Sequence, residues 1–191
     1  MGSPREFLTI VSGLPRSGTS MMMRMLEAGG LPALVDNIRA ADDDNPRGYY
    51  EFEPVKQTKK DASWLVGSEG KVVKMVYRLL YDLPLDREYR VVFTQRKLEE
   101  VVASQNVMLA RQGKPQGLPD EKLVRLFRTE LDQVDHWLAS RANFRVLYVS
   151  YNEALADPAP TVQVLNEFLG GSLDTAAMLR VVEPVLYRQR K

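Results

Sequence analysis

The stretch from Phe7 to Leu26 constrains the fold of this chain most strongly. An apolar, β-branched run over Leu8–Val11 ends at Gly13, a small polar loop follows, and an apolar, methionine-rich segment begins at Met21. This pattern predicts a buried strand, a tight turn and a helix that begins with small polar residues. The first N–H groups of a helix have no intrahelical partner, and the helix dipole adds partial positive charge there. Such a turn therefore predicts a site for phosphate or sulfate.

The composition excludes several classes of function. The 191 residues include no cysteine and carry a formal net charge of +1. No disulfide, thiolate metal site or cysteine nucleophile is therefore available, and the charge gives no general field for nucleic acid. No apolar run approaches the ~20 residues that span a bilayer, and the first strand begins too early for a signal peptide. We expect one cytoplasmic domain over residues 1–191, with no nucleic-acid partner and no transmembrane segment.

Apolar segments alternate with helical patterns along the chain. This alternation predicts βαβ units, and hence an α/β, three-layer, P-loop-like fold with a central parallel sheet flanked by helices. Ligands of such sheets bind outside the carboxyl ends of the strands, where the opening loop would lie. Besides the opening strand, the predicted strands are Lys71–Val76, Tyr89–Thr94 and Phe144–Val149, with a shorter candidate at Leu31–Val35. The predicted helices are Gly18–Ala28, Glu53–Leu65, Leu98–Ala110, Asp120–Leu138, Asp157–Gly170 and Asp174–Glu183.

The opening loop has the spacing of a P-loop but lacks other features of an ATP site. Gly13 and Gly18 form G-x-x-x-x-G, and Ser20 occupies the Ser/Thr position. Thr19 stands where the Walker lysine would be, and Arg16 is the only cation of the loop. A Mg-nucleotide enzyme would also need an Asp at the end of an apolar strand, which argues against phosphoryl transfer from ATP or GTP. The predicted strands run instead into Ser12, Tyr77, Gln95-Arg96 and Ser150.

Three segments resemble the sulfotransferases that use 3′-phosphoadenosine-5′-phosphosulfate (PAPS). Gly13–Ser20 is similar to their 5′-phosphosulfate loop, in the Arg form of carbohydrate, tyrosylprotein and many bacterial members. Arg90–Gln105 resembles their 3′-phosphate-binding segment, a strand that ends in an Arg with a Ser eight residues later. Gln-Arg-Lys-Leu replaces the commoner Arg-Asp-Pro there, although Arg96 is kept. Val146–Pro158 is a weaker third resemblance.

The resemblance implies an enzyme that transfers the sulfuryl group of PAPS to a hydroxyl or amine of a small-molecule or carbohydrate acceptor, without a metal. Arg16 would neutralise the departing 3′,5′-bisphosphate (PAP), where negative charge builds up. Arg96 and Ser104 would bind the 3′-phosphate, provided that the helix carrying Ser104 runs along the cofactor. The remaining predicted PAPS-binding residues are Leu14, Pro15, Ser17, Gly18, Thr19 and Ser20.

The general base for the acceptor has several candidates. Glu51 ends Asn45–Glu51, which resembles the "NP-x-GY-x-E" segment of bacterial sulfotransferase-like proteins, and a Glu serves as base in the tyrosylprotein branch. Glu53 is an alternative, and either carboxylate could instead cap the helix that follows. Lys74 has a place at the end of a predicted strand near the reaction centre. His136, the only histidine, is more simply a structural residue of a long helix.

Two charged segments have simpler interpretations. The consecutive carboxylates Asp42, Asp43 and Asp44 do not face one point, so we expect a solvated loop rather than a metal site. The basic tail Arg188–Lys191 would either fold over the 3′-phosphate or fray. The chain is short for a sulfotransferase, so a non-catalytic nucleotide- or anion-binding module is the main alternative, followed by a nucleotide kinase or NTPase.

Overall fold

A parallel sheet forms the centre of the computed structural model, which describes residues 5–36, 38, 48–115 and 117–182. The strands are β1 (Leu8–Gly13), β2 (Val72–Lys74), β3 (Tyr89–Gln95) and β4 (Phe144–Ser150). They run in the order β2-β1-β3-β4, and each of the three pairings is parallel. This arrangement confirms the predicted α/β fold.

Helices cover both faces of the sheet. The α-helices are α1 (Thr19–Ala28), α2 (Leu98–Arg111), α3 (Asp120–Ala139), α4 (Tyr151–Ala156), α5 (Pro158–Phe168) and α6 (Thr175–Leu179). One buried cluster joins Ile10 of β1 to the helices α2 and α3, and a second joins Val11 to α1 and α5. Because the sheet is covered on both faces, all six residues of β1 are buried, which explains its apolar sequence.

Two predicted elements between β1 and β2 are wrong. Leu31–Val35 forms only an isolated bridge, Ala33 to Val72, and Pro32 has no N–H to extend a ladder. The predicted helix Glu53–Leu65 is two short 3-10 helices, Glu53–Gln57 and Ser63–Leu65. Between them the Asp61 carboxylate accepts a hydrogen bond from the Ser63 N–H at 2.9 Å, which competes with a continuous helix.

Helix ends near the C-terminal side of the chain also differ from expectation. The helix predicted from Asp174 is the short α6, which ends at Leu179. The helix α4 follows β4 directly, where the sequence analysis identified no helix. Its N-cap is Ser150, whose hydroxyl accepts a hydrogen bond from the Glu153 N–H at 3.2 Å. The Ser-x-x-Glu pattern of a capping box was therefore the signal that could have predicted it.

The register of the sheet brings the carboxyl ends of its strands together. Val11 lies opposite Lys74, Gly13 opposite Thr94, and Gln95 opposite Ser150. The loop after β1 therefore lies between the ends of β2 and β3, at the edge where parallel sheets bind ligands. The segments 42–44 and 188–191 lie outside the described residues. Within the described part of the chain, no helix is long and apolar enough to cross a membrane.

Candidate functional site

Two glycines let the loop after β1 pack closely against its neighbours. Gly13 has a φ of 145°, and a Cβ there would lie 2.6 Å from the Thr94 carbonyl oxygen. Gly18 has a φ of 97°, and a Cβ there would lie 2.2 Å from Cδ2 of Tyr151. Both positions therefore require glycine for space as well as for backbone conformation. The two glycines of the G-x-x-x-x-G motif are therefore the points where the loop comes closest to its neighbours, Gly13 to β3 and Gly18 to α4.

Ser17 anchors the loop to the sheet. Its hydroxyl is buried and lies 2.8 Å from the Thr94 hydroxyl, which itself donates to the Ser12 carbonyl at 3.0 Å. Because a threonine hydroxyl has one proton, Ser17 is the donor in this pair. The Ser17 N–H also donates to the Leu14 carbonyl at 3.2 Å. These contacts give Ser17 a part in the shape of the loop.

The loop leads directly into the amino end of α1. Gly18 is the N-cap residue, and no side chain of the described residues caps this helix. The first turn also holds no acidic residue. Thr19 and Ser20, half-buried, open the helix, so their N–H groups belong to the first turn, where a helix offers donors and partial positive charge. This end of α1 suits an anion.

The two predicted anion-binding motifs meet at Arg16. The Arg16 Nε donates to the Ser104 hydroxyl at 2.9 Å, and Arg96 Nη1 donates to the Arg16 carbonyl at 3.1 Å. Arg16 has a left-handed φ of 73°, which is unfavourable for a residue with a Cβ, and the carbonyl contact from Arg96 helps to hold it there. Ser104 is buried on α2, so this helix does run past the loop. Arg96 and Ser104, which follow Arg16 by 80 and 88 positions in the sequence, thus form one cluster of donors with it.

Arg96 is held by residues that the sequence analysis did not identify. Its Nε donates to the Glu100 carboxylate at 2.9 Å, and Glu100 is 0% exposed. The Asn152 side-chain amide donates to both Glu100 oxygens, at 3.1 and 3.2 Å. The Arg96 guanidinium carbon lies 4.8 Å from the centre of the Tyr151 ring. Burial raises the pKa of Tyr151, and the Arg96 charge partly opposes this rise.

The Tyr49 carbonyl connects the start of α1, directly after the loop, to the end of β2. The Lys74 ammonium donates to the Tyr49 carbonyl, and the Ser20 hydroxyl lies 3.5 Å from the same oxygen. Lys74 is the last residue of β2, as its predicted place near the site requires. The segment that begins at Tyr49 therefore lies against the first turn of α1.

Glu51 and Glu53 follow in this segment. The Glu51 carboxylate is 23% exposed and lies 3.7 Å from the Lys56 ammonium. Glu53 is exposed, pairs with Lys56, and donates its N–H to the Asp36 carboxylate at 2.6 Å. Backbone hydrogen bonds from Ile38 and Glu53 lower the pKa of Asp36. The first part of the "NP-x-GY-x-E" segment, residues 45–47, lies outside the described residues.

Tyr50 joins the same segment to α1. Its hydroxyl donates to the Glu27 carboxylate at 2.6 Å, and its φ is 53°. Burial and this hydrogen bond raise the pKa of Tyr50. The Tyr49 carbonyl and the Tyr50 hydroxyl therefore hold the segment that carries Glu51 against α1.

His136 lies on α3 and is exposed. Its Nδ1 is 2.6 Å from the Asp132 carbonyl, one helical turn earlier. Among the residues that the structure describes, no group of three or more His, Asp or Glu side chains is arranged to hold a metal ion.

The strand ends that face the loop carry three polar side chains. Lys74 ends β2, Ser150 ends β4, and Thr94 is the residue before the end of β3.

Sequence comparison finds a match to one family model in the last third of the chain. Residues 125–191 match the family model described as "Sulfotransferase domain". No curated protein sequence matches the chain at a significant level.

Solved structures extend the likeness to nearly the whole chain. The sulfotransferase domain of the Synechococcus PCC 7002 olefin synthase is 16% identical with a TM-score of 0.57, over 97% of this chain and 87% of that one. A mouse sulfotransferase complexed with PAP is 18% identical with a TM-score of 0.55, over 93% and 63%. A sulfotransferase from Alicyclobacillus acidocaldarius is 16% identical with a TM-score of 0.51, over 98% and 97%. This chain shares the fold of these three structures. The predicted resemblance to sulfotransferases is confirmed.

Proposed function

We propose that this chain is a PAPS-dependent sulfotransferase that acts on a hydroxyl or amine of a small-molecule or carbohydrate acceptor. The observation that carries the proposal is the meeting of the loop and the strand–helix segment at Arg16. The Arg16 Nε contacts the Ser104 hydroxyl at 2.9 Å, and Arg96 contacts the Arg16 carbonyl at 3.1 Å. Two clusters of anion-binding donors side by side suit a nucleotide that is charged at both its 5′ and its 3′ positions.

The residues of the loop fit the phosphosulfate end of such a nucleotide. PAPS, when bound, would supply the sulfuryl group to be transferred. Gly13 and Gly18 keep the loop free of side chains at its two closest approaches, and the first turn of α1 has no side-chain cap. The backbone from Leu14 to Ser20, with the Thr19 and Ser20 hydroxyls, would form the cradle. The Arg16 guanidinium would neutralise charge on the departing phosphate, which lowers the barrier to transfer.

Arg96 and Ser104 would hold the 3′-phosphate. Both are largely shielded from solvent, with 7% exposure of the Arg96 side chain and 5% of Ser104. In such an environment a charge-assisted hydrogen bond is stronger than at the surface. The mouse sulfotransferase of similar fold was solved with PAP, which supports the choice of this ligand for the test below.

The acceptor would approach from the side of Lys74 and Glu51. The Tyr49 carbonyl, which contacts both Lys74 and Ser20, brings this segment against the loop. The proposal assigns proton removal from the acceptor to the Glu51 carboxylate and charge stabilisation near the reacting group to Lys74. The proposed enzyme is bacterial and cytoplasmic, and its reaction needs no metal ion.

Calorimetric titration with PAP tests the proposal. The wild-type chain should bind PAP with 1:1 stoichiometry. Arg16→Ala and Arg96→Ala should each weaken binding by about tenfold to a hundredfold, the usual effect of losing a charged hydrogen bond. Arg125→Ala is the matched control, because Arg125 is an exposed residue of α3 that pairs with Glu121 at 3.8 Å. Lack of PAP binding, or equal binding by all variants, would contradict the proposal.

Transfer of labelled sulfate from PAPS to a panel of acceptors separates the enzyme from a binding module. The wild-type chain should label at least one acceptor class, and Glu51→Gln should lower the rate with little change in PAP affinity. PAP binding without transfer to any acceptor would instead favour the non-catalytic module. Mg-dependent ATP hydrolysis would favour an NTPase.

A further inference from the structure

A buried carboxylate lies next to the proposed 3′-phosphate site. Glu100 is 0% exposed and lies in the first turn of α2. Burying a charge is costly unless it is paired and hydrogen-bonded. Glu100 is both: Arg96 Nε donates to it at 2.9 Å, and the Asn152 amide donates to it at 3.1 and 3.2 Å. The first turn of α2 also favours a negative charge.

These contacts fix the orientation of the Arg96 guanidinium. One edge is held by Glu100 through Nε, and Nη1 is held by the Arg16 carbonyl at 3.1 Å. The Tyr151 ring lies 4.8 Å from the guanidinium carbon. Because a guanidinium is planar with donors in a fixed fork, two hydrogen bonds from different nitrogens define both its plane and its rotation.

We infer that Glu100 positions Arg96, so that this buried carboxylate sets how strongly the site prefers a nucleotide with a 3′-phosphate. The inference rests on the proposed function. A carboxylate beside an anion site has two opposite effects: it repels the phosphate, and it orients the arginine that binds the phosphate. Orientation dominates here, because the Glu100 charge is already neutralised within its pair with Arg96, whereas phosphate recognition by the fork depends on direction.

The test compares PAP with adenosine 5′-monophosphate (AMP), which lacks the 3′-phosphate, in calorimetric titrations. Glu100→Gln keeps the size of the side chain and removes its charge. We expect the ratio of PAP affinity to AMP affinity to fall by about tenfold to a hundredfold, the range for one charge-assisted hydrogen bond. Glu99→Gln, the same change on the neighbouring exposed residue of α2, should leave the ratio unchanged.

A positioning role also predicts how the variants combine. Arg96→Ala should lower the same ratio, and Glu100→Gln should have no further effect in the Arg96→Ala background. If Glu100→Gln does not fold, as judged by circular dichroism, Asn152→Ala replaces it, because Asn152 holds the same carboxylate. Asn152→Ala should lower the ratio in the same direction.

Two results would overturn the inference. The first is an unchanged or higher ratio in the folded Glu100→Gln or Asn152→Ala variant, which includes an equal loss of PAP and AMP affinity. The second is a full effect of Glu100→Gln without Arg96. If the wild-type chain prefers PAP and Arg96→Ala abolishes the preference, such a result overturns only the role of Glu100. If the wild-type chain has no preference for PAP, the proposed function fails as well.

Discussion

Replacing Gly18 with alanine should destabilise the chain through two separable effects. The first is the backbone, because a left-handed conformation costs a residue with a Cβ about 1–2 kcal/mol. The second is steric: the new Cβ would lie 2.2 Å from Cδ2 and 2.8 Å from Cε2 of Tyr151. Forcing one extra methyl group into a packed site costs about 1–3 kcal/mol. Together the two effects predict a loss of about 2–5 kcal/mol in the free energy of unfolding.

Gly30 provides a matched control for the backbone effect. Its φ is 97°, the same as that of Gly18, but a Cβ there would meet nothing within 4 Å. Gly30→Ala should therefore show the backbone cost alone. Urea unfolding followed by circular dichroism measures both variants. The excess loss in Gly18→Ala over Gly30→Ala, about 1–3 kcal/mol, reports the clash with Tyr151.

A second background tests the cause of that excess. In Tyr151→Ala the ring is absent, so Gly18→Ala should cost no more there than Gly30→Ala does. An equal loss for the two glycine variants in the native background would refute the close packing of the loop on α4. An excess that persists without the Tyr151 ring would refute its assignment to that contact.

Two further predictions concern the buried hydrogen bond of the loop and the pH dependence of stability. Ser17→Ala should cost about 1 kcal/mol in the free energy of unfolding measured with urea, because the buried Thr94 hydroxyl loses its donor. The control Ser140→Ala removes an exposed hydrogen bond to the Trp137 carbonyl and should cost under about 0.5 kcal/mol. Equal losses would contradict the anchoring role of Ser17. Burial raises the pKa of Tyr89 to about 12, so the unfolded chain deprotonates first and stability should fall as the pH rises from about 10 towards 12. Tyr89→Phe should fall less steeply over that window, and an unchanged slope would contradict the prediction.

The sequence predicted the parts of the molecule that depend on local patterns. The buried strands follow from continuous apolar runs, since a sheet covered on both faces needs apolar residues on both sides. The tight turn through Gly13 and Gly18 was predicted from the loop spacing, and the sequence analysis made the role of Ser104 depend on α2 running along the site. The contact between Arg16 and Ser104 was not itself predicted, because it joins residues 88 positions apart. The buried strands and the turn are encoded within a few residues of each motif.

The site contacts that the sequence analysis missed join distant segments, whereas two missed elements had local causes or signals. Glu100 and Asn152 lie in two of the segments that resemble sulfotransferases, but their contact joins residues 52 positions apart, so no local pattern predicted the role of either side chain. Tyr151 contacts Gly18 only because β4 ends beside β3. The predicted helix Glu53–Leu65 failed for a local reason, since the Asp61 side chain competes for the backbone. The missed α4 had a local signal, the cap at Ser150.

A double-mutant cycle on PAP binding tests the central claim that the loop and the strand–helix segment form one site. The cycle uses Arg16→Ala, Ser104→Ala and the double variant, because the two side chains touch at 2.9 Å. For residues in contact we expect a coupling energy of about 0.5–3 kcal/mol, so that Ser104→Ala costs less once Arg16 is absent. Additive effects of the two substitutions, or no binding of PAP by the wild-type chain, would contradict the claim.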